Sequence, residues 1–246
     1  MTFLCKAKDK VGFGKKSVAE WPNLLMTRIR FEIDPTLQIV RQYISLVKSY
    51  FQDKEEEIFS PHILNIGNQD IPEGLFARET FKQIMVCPGS NWMSKQLSED
   101  ILFSFLCKIE ESYDPMFIFI WGSKKEEELA TRLKEAFPRS KIAGALPLSV
   151  WQALMLKMHC IVSVDSCALH LAALAHIPTF SIYGPSSSKV YKPEGDLNVA
   201  YQGGCPYGEL FMKRCKLLRT CTTAACIKEI PSLSLMKSFE AFWKKI

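Results

Sequence analysis

The chain has 246 residues, 48% of them hydrophobic and 23% charged, with 31 Lys and Arg against 26 Asp and Glu for a net charge of +5. These totals exclude a disordered or collagen-like chain and allow one large core or two modest ones. No apolar run approaches the ~18 residues of a membrane-spanning helix, because Ser163, Asp165, Ser166 and His170 interrupt the longest, and the opening "MTFLCKAKDK" has no signal-peptide pattern. A cytoplasmic protein is expected.

In chain order, residues 1–80 are the less regular part. A helix is predicted over Leu37 to Phe51, followed by an acidic run from Asp53 to Glu57 and a segment containing Pro and Asn to about Gly74. From residue 81 strands and helices alternate. "FKQIMV" (Phe81 to Val86) reads as a strand stopped by Pro88-Gly89. Ser98 to Ser112 has helical spacing of Ile101, Leu102, Phe105, Leu106 and Ile109, with Ser98 as the expected N-cap. "MFIFIW" (Met116 to Trp121) is apolar on both faces, as in a central parallel strand. A helix over Lys124 to Phe137, a strand at Lys141 to Ala143, and a helix from Leu148 to Met158 follow. Then come the strand "CIVSV" (Cys160 to Val164), a helix over Ser166 to Ala175, the strand "TFSIY" (Thr179 to Tyr183) and a closing helix over Leu233 to Lys244. This alternation predicts a parallel, doubly wound sheet. The expected division is a partial N-terminal domain over 1–80 and a complete Rossmann-like domain over 81–246.

Of nine cysteines, Cys205, Cys215, Cys221 and Cys226 cluster near the C-terminus without a C-x-x-C pair. They read either as a structural zinc site or as four reduced thiols, and the loose spacing favours the second. The basic excess lies in the last quarter: residues 189–246 hold 10 basic and 5 acidic side chains, leaving 21 of each before them. Such a surface suits nucleic acid, an anionic membrane or a phosphorylated ligand. Aromatic residues are not interleaved with the basic ones, which argues against nucleic acid.

Three stretches carry candidate chemistry. In "VDSCALHLAA" a strand delivers Asp165 to its carboxyl end, and the following helix turns its first amides toward the same edge, where phosphate oxygens bind. Ser166 adds a hydroxyl and His170 lies one turn on. Asp165 itself repels phosphate, so its expected roles are capping the helix or accepting bonds from loop amides. "CPGSNWMSKQLSED" puts Lys95 just before the next helix, as a point charge for phosphate. "WGSKKEEELA" puts Glu126, Glu127 and Glu128 at a helix start, where they complement its dipole and where a carboxylate can also accept ribose hydroxyls. Phosphate and ribose binders on one sheet edge suggest a nucleotide diphosphate.

The order of "PGSNWMSKQLS", "FIWGSKKEEELA", "LPLSVWQALM" and "IVSVDSCALHLAALAHIPTFSIYGPSS", with a late cysteine-containing stretch, resembles glycosyltransferase family 9, the ADP-heptose:lipopolysaccharide heptosyltransferase family with the GT-B fold. The resemblance covers about 81–246. It implies an ADP-sugar donor bound by Lys95 (phosphate), Glu126 (ribose), Leu146 (beside adenine) and Asp165, Ser166, the Cys167 amide and His170 (diphosphate). It further implies transfer of heptose or a related sugar to a lipopolysaccharide-core-type acceptor, with no cofactor and no catalytic metal, and peripheral contact with the inner membrane. Two departures stand out. Cys167 replaces the family's usual glycine, and residues from "VGFGKKSVAEW" to "IVRQYISLV" resemble only the latter part of the acceptor domain, without the family's expected base aspartate. The alternative expectation is therefore a donor-domain remnant, or half of a split enzyme, that binds nucleotide without turnover.

Overall fold

The computed structural model describes residues 4–56, 62–65, 71–72, 74–75 and 81–246. By internal contacts the chain forms two compact units, one of Met1–Phe59 with Lys189–Tyr191, the other of Ser60–Ser188 with Lys192–Ile246.

The first unit holds strands β1 (Val11–Phe13) and β2 (Ile29–Phe31), paired in parallel, with helices α1 (Asn23–Met26) and α2 (Ile39–Phe51). Gln38 caps α2 by accepting a bond from the Val40 amide. Phe13 meets Tyr43 of α2 edge-on at 5.6 Å between ring centroids. The two short strands escape the sequence reading because three residues are too few to show alternation.

The second unit is built on β3 (Gln83–Cys87), α3 (Glu99–Tyr113), β4 (Met116–Trp121), α4 (Lys124–Ala136), β5 (Lys141–Gly144) and α5 (Leu148–Met155). The chain continues through β6 (Cys160–Val164), α6 (Cys167–Leu174), β7 (Thr179–Tyr183), α7 (Ser188–Tyr191, whose Lys189–Tyr191 belong to the first unit), β8 (Asn198–Gln202), α8 (Ala225–Lys228) and α9 (Ser232–Trp243). Its six strands form one parallel sheet in the order β5-β4-β3-β6-β7-β8. Alternate strand residues serve opposite faces, as the two-residue strand period requires. Ile84, Val86, Phe117, Phe119, Val162 and Phe180 pack with α3, α4 and α9, while Met85, Ile118, Ile120 and Ile161 pack with α5 and α6. Strands filled on both faces are the reason for their uninterrupted apolar sequences.

Three local expectations need correction. Ser98 occupies the N-cap position of α3 but makes no capping bond; its hydroxyl donates instead to the Lys228 carbonyl at 3.4 Å. The predicted helix to Met158 stops at Met155, and Lys157 and Met158 close tighter turns onto Leu154 and Met155. Strand β8 was not expected, since "NVAYQ" follows a Gly-containing turn and shows no distinctive pattern. Buried Gln152, on α5, accepts from the Leu64 amide at 2.7 Å and lies 3.0 Å from the His62 carbonyl, fixing an otherwise irregular segment.

Candidate functional site

Strand order reverses between β3 and β6, which pair from Ile84↔Cys160 to Cys87↔Ser163. The chain leaves β3 toward β4 on one side and leaves β6 toward β7 on the other, so a crevice opens beyond their carboxyl ends. Ser163 Oγ spans the two strands, 3.1 Å from the Cys87 carbonyl and 3.0 Å from Ser166 Oγ.

Lys95 sits in a single 3-10 turn, Met93–Lys95, beyond β3. Its Nζ donates to Asp165 Oδ2 at 2.6 Å, and each side chain is only 10% exposed. The Ser186 hydroxyl, from the turn after β7, donates to the same oxygen. The expected capping role of Asp165 is thus not what forms. Ser166 is the residue at the N-cap of α6, and no side chain caps that helix. A buried lysine needs a counter-ion more than a helix start needs a cap, because an unpaired buried charge costs several kcal/mol. Lys95 is consequently a paired cation held in place, not the free point charge its sequence position suggested.

Glu126 completes a capping box on α4: Ser123 accepts from the Glu126 amide, and Glu126 Oε2 accepts from the amides of Gly122 at 2.8 Å and Ser123 at 3.1 Å. Its other oxygen leans over the turn after β3, where a Cβ on Gly89 would stand 2.0 Å from Oε1. Glycine there lets the two loops approach. Leu146, in the loop after β5, is partly buried against the α5/α6 face of the core. Cys167 is exposed at the first position of α6.

His170 is half-buried one turn into α6. Burial holds its imidazole below the usual 6.5, with Asp165 opposing in part, so the ring is neutral at neutral pH. Burial pushes the Cys87 thiol far up, and the nearby Cys167 and Glu126 push the same way.

Sequence reasoning missed Ser186, Ser90 and Tyr183. Ser90 Oγ donates to the Asp165 carbonyl at 3.4 Å. Tyr183, at the end of β7, is 0% exposed, and among the described residues its hydroxyl has no partner at hydrogen-bonding geometry. Burial and then the charge of Asp165 push its phenol well above 10, the Ser181 hydroxyl acting the other way. The "YGPSS" turn signals a loop at this edge, but nothing in it singles out which hydroxyl turns inward.

The model of glycosyltransferase family 9 (heptosyltransferase) matches residues 1–218. The chain belongs to that family. Comparison with curated proteins yields no match. Among solved structures, E. coli heptosyltransferase WaaC with ADP is 15% identical, with a TM-score of 0.64 over 94% of this chain and 65% of that one. A family 9 glycosyltransferase from Veillonella parvula DSM 2008 is 13% identical, with a TM-score of 0.68 over 98% and 69%. E. coli ADP-heptose lps heptosyltransferase II is 16% identical, with a TM-score of 0.65 over 97% and 70%. At these identities the likeness is one of fold. The chain spans 65% to 70% of the length of these three proteins. Among the described residues no helix is long and apolar enough to cross a membrane.

Proposed function

We propose that this family 9 glycosyltransferase binds an ADP-sugar at the β3/β6 crevice and transfers heptose, or a related sugar, to a lipopolysaccharide-core-type acceptor. The observation that carries the reading is the uncapped start of α6 beside the buried Lys95–Asp165–Ser186 group, at the point where strand order reverses. In this reading the amides of Cys167 and its neighbours and the Ser166 hydroxyl meet the diphosphate. Lys95, oriented by Asp165, gives its remaining N–H bonds to a phosphate oxygen, and neutral His170 donates a hydrogen bond. Glu126 accepts from the ribose through the oxygen not used in its cap, and Leu146 lies against adenine. Lys95 and the helix start offset charge on the departing diphosphate, so the transfer needs no divalent ion. The solved E. coli WaaC complex with ADP supports the nucleotide class. The domain boundary that goes with this reading assigns 1–80 to the acceptor side and 81–246 to the donor side, and an amphiphilic acceptor brings the protein to the inner membrane peripherally.

A second reading, nucleotide binding without turnover, draws on the described carboxylates of the first unit. Asp9 accepts from Tyr50 at 2.6 Å, Glu32 from the Lys16 amide at 3.0 Å, and Asp34 from the Thr36 amide at 2.8 Å, each serving a local fold contact.

Titration calorimetry with ADP tests the site. Lys95→Ala is expected to weaken binding by about 1 to 3 kcal/mol through loss of a charge-assisted bond. Equal affinity in the two proteins removes Lys95 from the site, and no ADP heat in either overturns the donor reading.

A further inference from the structure

Lys95 can direct its N–H bonds at a phosphate, but it is buried against Asp165 at 2.6 Å, so the pair adds no net charge to the crevice. Burial keeps His170 neutral at neutral pH, and the start of α6 contributes roughly half an elementary charge. A nucleoside diphosphate carries several negative charges, and a departing one gains more as the sugar leaves. On their own these groups leave the edge short of positive charge.

Residues 203–224, between β8 and α8, hold Lys213, Arg214, Lys216 and Arg219 against the single acid Glu209. Cys205, Cys215 and Cys221 of this loop are free thiols, and among the described residues no group of three His, Cys, Asp or Glu side chains could hold a metal ion. Hydrogen bonds to backbone carbonyls fasten the loop to the crevice edge. The Cys215 amide donates to the Pro185 carbonyl at 2.6 Å, the Ser187 amide to the Lys213 carbonyl at 2.8 Å, and the Ser94 hydroxyl to the Leu218 carbonyl at 2.8 Å. Two arginines are set beside the site as a result. Arg214 forms an antiparallel bridge with Ser186, and residues bridged in this way carry their side chains on one face, with Cβ atoms about 4.5–5.5 Å apart. The Arg214 side chain therefore starts next to the Ser186 hydroxyl, which donates to Asp165. The Arg219 guanidinium lies over the Trp92 ring, 5.0 Å from its centroid, and Trp92 immediately precedes the turn that carries Lys95. Both arginines are exposed, while Lys95, Asp165 and Ser186 are buried.

We propose that Arg214 and Arg219 are donor-site residues whose guanidinium groups supply the net positive charge for the diphosphate that the neutral Lys95–Asp165 pair lacks. Stacking on Trp92 presents Arg219 as a flat, pre-oriented fork, the geometry that takes two phosphate oxygens at once. The buried pair then orients the ligand, and the arginines balance its charge. This inference rests on the donor reading above.

Titration calorimetry with ADP on the full chain, repeated at rising salt, tests it. Arg214→Gln and Arg219→Gln are each expected to weaken ADP binding about tenfold at low ionic strength, with the deficit shrinking as salt screens the exposed charges. Arg219→Lys, which keeps the charge and loses the fork, is expected to recover part of the loss. Lys244→Gln removes the same charge at the end of α9. It adjoins Trp243, which meets Lys82 and His159 just ahead of β3 and β6, at the other end of the sheet; this variant is expected to bind ADP as the unaltered chain does. Unchanged ADP affinity in either glutamine variant, a deficit equal at every salt, or the same loss in Lys244→Gln overturns the proposal and leaves the donor reading standing. No binding of ADP by the unaltered chain overturns both.

Discussion

Asp165 and His170 lie about one turn apart, and among the described residues the structure gives side-chain hydrogen bonds to Asp165 but not to His170. Asp165 is compensated by Lys95 and Ser186, whereas His170 remains in a desolvated setting that favours its neutral form. A histidine whose pKa is lowered on folding binds fewer protons in the native state than in the unfolded chain. Its contribution to stability is therefore fully present above the unfolded value of about 6.5 and is lost as pH falls from there toward the folded pKa. His159 acts in the same direction, lowered by burial and by Lys82. His170→Gln is accordingly expected to flatten the loss of stability as pH falls below about 6.5. A bound diphosphate would raise the His170 pKa, so ADP binding near pH 6 should take up protons, read as a dependence of binding heat on the buffer's ionisation enthalpy. Unchanged pH dependence of denaturant midpoints in His170→Gln, together with no proton uptake, would show that this ring is insensitive to both folding and ligand.

At the scale of elements, what the sequence makes legible follows from period. Strands β4, β6 and β7 agree with the pattern reading to the residue, because each is an apolar run bounded by turns. α3 buries Leu102, Phe105, Leu106 and Ile109, the same spacing that predicts it. β1 and β2, of three residues each, and β8, whose NVAYQ mixes polar with apolar residues and is only partly buried, leave no such trace. The site divides along similar lines. That Lys95, Glu126, Asp165 and Ser166 follow strand ends is readable, because strand and helix boundaries are local. The 2.6 Å pairing of Lys95 with Asp165 is not, since it joins residues 70 apart across the strand-order reversal. The closing helix shows how long-range packing decides a local element. Phe239 of α9 meets Phe105 at 5.7 Å, Phe180 at 5.3 Å and Trp243 at 5.6 Å, tying α9 to α3 and β7. Phe239→Ala should cost about 3 to 5 kcal/mol by leaving a cavity among rings that cannot collapse into it. Denaturant unfolding measures it; a loss below ~1 kcal/mol would mean that α9 repacks freely.

Over the whole molecule, the two units present unequal chemistry. The sheet of the second unit brings an uncapped helix start, a paired lysine and the Ser90 and Ser186 hydroxyls to one edge, all within residues 90–186, the edge proposed above for the diphosphate. Transfer asks for more, because an acceptor hydroxyl is a weak nucleophile until a base takes its proton, and orienting it requires a surface that binds the acceptor. In the first unit Asp9, Glu32, Asp34 and Asp53 each accept a hydrogen bond from a nearby backbone or side-chain donor. These carboxylates are occupied in local fold contacts. The chain is therefore expected to bind ADP and ADP-heptose while transferring sugar more slowly than E. coli WaaC by roughly 10² to 10⁴, the usual weight of general-base catalysis. Release of ADP from ADP-heptose in the presence of a lipid A-core acceptor, followed side by side with E. coli WaaC, measures the difference. Matching turnover would show that a base among these residues does work that their hydrogen bonding conceals, and the first unit would then be the place to seek it by replacing each carboxylate in turn.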